Sequence, residues 1–158
     1  MTRLLLSVLL FTTYLFAAIL PPFQAENLNG KRINMPSAVQ GHSALLLIGF
    51  TQASGKQTAD WAKKSTPICE TWSAAVLEAA PRLLRGIISR GIKSGIPKTG
   101  YDRFLLVYQH EAELKKAAGF STPDDAYVLL LAPDGSIRWR FHGPVSEEAL
   151  DELRKQLE

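Results

Sequence analysis

The polarity pattern divides the chain into an apolar head and a body of alternating extended and helical segments. The head, "MTRLLLSVLLFTTYLFAAIL", carries one charge at Arg3, then an uncharged run from Leu4 to Leu20 closed by Pro21 and Pro22. Such a head is an export signal or a single membrane anchor. Either reading places the rest of the chain outside the cytoplasm, because the basic residue stays inside. The expected location is the periplasm or the outer face of the cytoplasmic membrane. Ala17, Ala18 and Ala25 each lack a small residue two positions earlier, so cleavage and retention both stay open. The expected partition is 1–25 as signal or anchor and 26–158 as the folded domain.

In the body, "ENLNGKRINMP" reads as a hairpin turning at Asn29-Gly30. "ALLLIGF" is a continuous apolar run, as in a strand buried on both faces. "SGKQTADWAKKS" reads as a helix with Ser54 at its N-cap and Ala59, Trp61 and Ala62 on its packing face. "TWSAAVLEA" is a second strand, and Pro81 opens a helix over "PRLLRGIISRGIKSGIP". "YDRFLLVYQ" is a third strand, and "EAELKKAAG" a helix closed by Gly119. "AYVLLLAPDGSIRWRFHG" is a hairpin turning at Pro133-Asp134-Gly135. "SEEALDELRKQL" is a last helix, with Ser146 as N-cap, acids early and bases late. Strands alternating with helices predict an α/β fold of three layers, α/β/α, around a central mixed sheet.

Composition adds limits. The chain has 158 residues, 46% hydrophobic and 21% charged, ordinary values for one globular domain. A net charge of +3 does not point to nucleic acid, and no nucleic-acid partner, cofactor or metal is expected. Cys69 is the single cysteine, so neither a disulfide framework nor a two-cysteine exchange fits within the chain. It lies at the end of a helical stretch, away from the helix N-terminus that lowers a thiol pKa.

The stretch "LPPFQAENLNGKRINMPSAVQGHSALLLIGF" resembles the opening of exported redoxins and peroxiredoxins: a Pro-Phe approach, a Gly-Lys hairpin and an apolar strand ending in Phe. With the order of elements, the resemblance implies a thioredoxin-like fold. Exported thioredoxins carry Cys-x-x-Cys shortly after that strand, where this chain has Ser54, Gly55, Lys56, Gln57 and Thr58. Peroxiredoxins carry Thr-x-x-Cys, and "TQAS" supplies Thr51 and Ser54. A serine hydroxyl is not ionised near neutral pH, whereas a thiol of pKa ~8.5 is easily tuned down. The histidines, His42, His110 and His142, are remote in sequence from this position. Redox members also place a proline near the positions of Asp125 and Ala126, and Pro123 falls about three residues early. Thr51, Ser54, Gly55 and Thr58 thus form a degenerate redox position, and the resemblance implies that the architecture is kept and the exchange reaction is not.

Two surfaces remain. "PRLLRGIISRGIKSGIPK" holds Arg82, Arg85, Arg90, Lys93 and Lys98 without an acid, with Leu84, Ile87, Ile88 and Ile92 at helical spacing. In one reading its apolar side packs on the sheet and the bases are solvated. In the other, the basic face meets anionic lipid or an acidic partner. The second surface is "YVLLLAPDGSIRWRFHGPVSEEALDEL", which is similar to the C-terminal segment of mitochondrial ATP synthase assembly factors of the "ATPase complex subunit ten" type. Ile137-Arg138-Trp139, Gly143 and Glu147-Glu148 carry that similarity. It implies a non-catalytic, membrane-proximal helper with an envelope or membrane protein as partner, and marks Arg138 and Trp139 as binding candidates. In the plainer reading, Arg138 faces solvent and Trp139 the core of an alternating strand. Three functions stand: a non-redox binding or assembly module, a thiol-dependent oxidoreductase or peroxiredoxin-like enzyme using Cys69 alone, and a structural envelope domain.

Overall fold

The computed structural model describes residues 17–158. Most of the Leu4–Leu20 run, read as signal or anchor, lies outside the described residues. Among those described, no helix is long and apolar enough to cross a membrane.

The strands are β1 (Phe23–Asn27), β2 (Arg32–Met35), β3 (Ala44–Gly49), β4 (Thr71–Val76), β5 (Phe104–Val107), β6 (Tyr127–Leu131) and β7 (Ile137–His142). The helices are α1 (Gly55–Ser65), α2 (Arg82–Gly95), α3 (Glu111–Ala118) and α4 (Glu147–Leu157). The sheet runs β2-β1-β5-β4-β3-β6-β7. β3, β4 and β5 are parallel, and the other pairings are antiparallel. The expected mixed sheet and element order are therefore present.

All six residues of β3 are buried. Leu46 and Ile48 point into a core shared with Trp72, Leu105, Tyr127 and Leu129, covered by Leu114 and Ala118 of α3. Leu45 and Leu47 point the other way, onto Trp61 of α1 and Leu150 and Leu153 of α4. A strand covered on both faces has no polar side to show, which explains its unbroken apolar sequence. Trp61 is fully buried, and its indole N–H donates to the Gly143 carbonyl at 2.9 Å. That bond satisfies its one polar atom while joining α1 to the end of β7.

The N-terminal boundary is corrected. The folded unit starts before residue 26: Leu20 is fully buried, and Phe23 and Ala25 are nearly so. Leu20 N–H donates to Gly135 O at 3.2 Å and Ile137 N–H to Ala18 O at 2.7 Å, so residues 18–20 are stitched to the β6–β7 turn. The sequence masks this because core residues follow directly on an apolar head. A second correction concerns Ser54. It precedes α1, but its backbone is already helical (φ −69, ψ −14) and its side chain caps no helix N–H. Ser146 does cap α4, accepting from Ala149 N–H at 3.1 Å.

At the start of β4, Glu70 is a polar hub. Its carboxylate accepts from Trp72 Nε1 at 2.6 Å and lies 3.0 Å from His42 Nε2 and 3.6 Å from Arg103 Nη2. Burial opposes its ionisation, but the Trp72 and His42 hydrogen bonds and the Arg103 charge outweigh burial and hold its pKa below the usual carboxylate value.

Two outcomes are expected. Leu20→Ala should cost about 2–5 kcal/mol in denaturant unfolding, as for a core leucine, and an unchanged midpoint would place residue 20 outside the core. Because Glu70 has a depressed folded pKa, its contribution is present above about pH 4.3 and is lost as pH falls through its folded value. Glu70→Gln should therefore flatten the acid limb of the stability–pH curve. An unaltered acid limb would remove Glu70 from the acid response.

Candidate functional site

β3 delivers the chain through Phe50 into Thr51–Ser54, and α1 departs from there. Ser54 is fully buried. Its hydroxyl donates to Thr51 O at 2.7 Å and accepts from Thr51 N–H at 3.4 Å. Thr51 Oγ1 in turn accepts from Ser54 N–H at 3.2 Å and donates to Asp124 Oδ1 at 2.8 Å. A Cβ on Gly49 would stand 2.7 Å from Ser54 Oγ, so the glycine ending β3 makes room for this hydroxyl. Thr58 Oγ1 donates to Gly55 O at 2.9 Å. The four degenerate positions, Thr51, Ser54, Gly55 and Thr58, thus come together in one corner. The hydrogen bonds of the Ser54 hydroxyl both run to the Thr51 backbone, and among the described residues no base is its partner to take its proton.

The opposite wall is the loop before β6. Pro123 stands beside Thr51 through its carbonyl, 3.4 Å from Oγ1. Tyr127 Oη accepts from Ser121 and Thr122 N–H, both at 2.8 Å, and donates to Thr122 O at 3.1 Å. Gln57 Oε1 accepts from Ala126 N–H at 2.9 Å. His142 Nδ1 lies 2.8 Å from Asp125 Oδ2, with its ring stacked 5.5 Å from that of Tyr127. Sequence reasoning missed Asp124, Gln57, Tyr127 and the Asp125–His142 pair. Each acts across a long separation in sequence or through a loop, and only Gln57 lies within residues 51–58.

Cys69 is elsewhere. It follows α1, so roughly 16 Å of helix separates it from Ser54. The thiol is half-buried. Burial raises its pKa, a hydrogen bond with Thr71 lowers it and the Glu70 charge raises it, with a net rise. These surroundings are the reverse of those that activate a thiol.

The basic candidates also separate. No residue of α2 is buried; Leu83 is 94% exposed, Ile87 61% and Leu84 47%. The reading in which the apolar side packs on the sheet is corrected in part: Ile88 and Ile92 are half-buried, but Leu84 and Ile87 are exposed. β4→α2→β5 continues across the sheet in the same direction as β3→α1→β4, and right-handed crossovers of that kind put both helices on one face. On that face β4 presents the small Ser73 and Ala75, only half-buried. Arg85 is an internal fastener: its guanidinium donates to Ala80 O at 3.2 Å and Glu78 O at 3.3 Å and lies 4.8 Å from the Tyr108 ring centre. Arg82, Arg90 and Lys93 are exposed, with Lys93 Nζ 5.1 Å from the Tyr101 ring centre. Arg138 and Trp139 sit on edge strand β7, separated from β4 by β3 and β6. Arg138 is exposed, while Trp139 packs against the α1/α4 core and stacks on Phe141. They form no common patch with α2.

Among known proteins, a putative electron transfer protein from Aquifex aeolicus superposes with a TM-score of 0.61 at 18% identity, over 89% of this chain and 97% of that one. The exposed lipoprotein thioredoxin of Streptococcus pneumoniae gives 0.59 at 15% identity, over 86% and 99%. BsSco, a member of the Sco family of cytochrome c oxidase assembly proteins, gives 0.59 at 12%, over 89% and 94%. At these identities the likeness is one of fold, and the fold is thioredoxin-like. A search of curated proteins gives no significant match. The family model of the ATP10 protein matches residues 16–158. That match takes in every described residue, including the segment 18–25 that the apolar head concealed, and the chain belongs to the ATP10 protein family.

Proposed function

We propose that this chain is a non-redox, thioredoxin-like assembly module that works on a membrane protein in the cell envelope. One observation carries the reading: at the redox corner a buried serine hydroxyl is bonded to its own turn. A group so bound is a structural pin and lacks the properties of a nucleophile. Family membership supports an assembly role, since the C-terminal similarity is to ATP synthase assembly factors. In this reading the corner and its neighbouring loop bind a partner and do not exchange electrons with it.

Export accompanies the proposal. The described fold already uses Ala18–Leu20, so the apolar stretch left for a signal or anchor is Leu4 to Ala17. That is shorter than the roughly 17–25 residues of a spanning helix and suits the about 7–15 apolar residues of an export signal. A thiol enzyme built on Cys69 alone is disfavoured by its half-burial and raised pKa.

Purified protein should neither reduce insulin disulfides nor consume peroxide with dithiol donors. Alkylation of Cys69 should accelerate only above the pH at which an ordinary thiol reacts. In cells lacking the chain, assembled ATP synthase resolved on native gels should fall, and Cys69→Ser should restore it as well as wild type does. Redox activity that disappears in Cys69→Ser, or failure of that variant to restore assembly, would hand the function to the thiol. A reporter joined after Glu158 should be active outside the cytoplasm; activity inside would defeat the compartment reading.

A further inference from the structure

Helix α2 is the structure's main unexplained feature. Fourteen residues are helical and none is buried. Gly86 and Gly91 lie in its interior, where glycine is the poorest helix former after proline. Its N-cap, Pro81, makes no side-chain cap, and its first turn has no acid. Arg82 and Arg85 instead stand at the N-terminal end, where the helix dipole disfavours positive charge. Exposed apolar surface, weak propensity and unfavourable terminal charges together describe a helix whose completing surface is not among the described residues.

The distribution of side chains identifies that surface. Ile88, Ile92 and Ile96 are half-buried and lean on the domain. Leu83, Leu84 and Ile87 point away from it. At about 100° per residue Arg90 borders this apolar strip beside Leu83, with Lys93 and Arg82 about 80° and 100° round from Leu83 on the same side, within reach of its rim through their long side chains. No acid occurs between Pro81 and Gly100. A second copy of the chain is a poor occupant, since two such faces would bring like charges together. An apolar strip bordered by bases matches an anionic bilayer interface: leucine and isoleucine enter the acyl boundary while arginine and lysine remain with the phosphates.

We propose that α2 lies in the plane of an anionic membrane, with Leu83, Leu84 and Ile87 inserted and Arg82, Arg90 and Lys93 on lipid phosphate. Arg85 stays on Tyr108 and the Glu78 and Ala80 carbonyls and holds the helix to the domain. The inference rests on the assembly reading only in placing the domain at a membrane.

The test uses the full chain with Cys69→Ser, reconstituted in phosphatidylcholine vesicles with or without phosphatidylglycerol. A nitroxide is placed at Leu83→Cys, a second at Ile87→Cys, and a control at Glu152→Cys on the exposed side of α4. Leu83 and Ile87 are exposed, so labelling leaves the core intact. With phosphatidylglycerol present, the Leu83 and Ile87 labels should lose contact with a water-soluble nickel chelate and gain contact with oxygen in the bilayer. The Glu152 label should stay wet, and salt should reverse the change. Arg90→Gln with Lys93→Gln should lower the ratio of inserted to free helix about 25-fold. Labels equally wet in both vesicle types overturn the proposal. So does drying that ignores lipid charge, or drying only when a protein partner is added. ATP synthase assembly is scored separately in cells. Dry labels with ATP synthase unaffected by loss of the chain condemn the assembly reading alone, and wet labels with ATP synthase that falls on that loss condemn the lipid face alone.

Discussion

The structure depends on β3 being buried on both faces. Five of its six residues divide between two cores, Ala44, Leu46 and Ile48 toward α3, Leu45 and Leu47 toward α1 and α4, and its backbone pairs with β4 on one side and β6 on the other. Fully burying a leucine or isoleucine is worth about 1.5–3 kcal/mol, so this strand is a main source of cohesion. It also fixes where the chain can be presented. Because Gly49 ends β3 and α1 must cross back over the sheet, Thr51–Ser54 is held at one corner whatever residues it contains.

That separation explains how the paired cysteines can be absent while the fold remains. Nothing in either core requires a sulfur at position 54. The hydroxyls there close a network from Ser54 to Thr51 to Asp124, and Gln57 bonds the adjoining backbone at Ala126. Tyr127 holds the facing loop through three hydrogen bonds. Among the described residues, no buried side-chain polar atom lacks a partner. The corner is therefore held by hydrogen bonds within the chain, from Ser54 and Thr51 to the facing loop.

Elements governed by local chemistry were legible in the sequence. The Asn29-Gly30 turn is one: Gly30 has φ +76, and the Asn27 side chain accepts from the N–H groups of Asn29 and Lys31. The unbroken apolar run of β3 is another, as are the caps of α3 and α4. Features set by distant partners were not legible. Leu20 and Phe23 look like a continuation of the apolar head until the β6–β7 turn and the α3-side core are in place around them. Ser54 has the residue type and position of an N-cap, yet Thr51 O claims its proton. Hydrophobic periodicity showed that α2 has an apolar side, but only the structure shows which part of it, Leu83, Leu84 and Ile87, stays exposed.

The two sides of α2 therefore have different physical roles. Arg85 shows what a basic residue does on this helix when it has an internal purpose: its guanidinium is bonded to two carbonyls and placed over Tyr108. Arg82 makes no such bond, and Arg90 bonds only the Gly86 carbonyl of its own helix. Had these bases served only solubility, acids interspersed among them would have served as well and would have relieved both their mutual repulsion and the unfavourable charge at the helix N-terminus. The uniform sign makes the isolated helix less stable, and so does leaving Leu83 and Ile87 in water. Both costs would be relieved together by the surface proposed for α2, apolar beneath and negative at its rim.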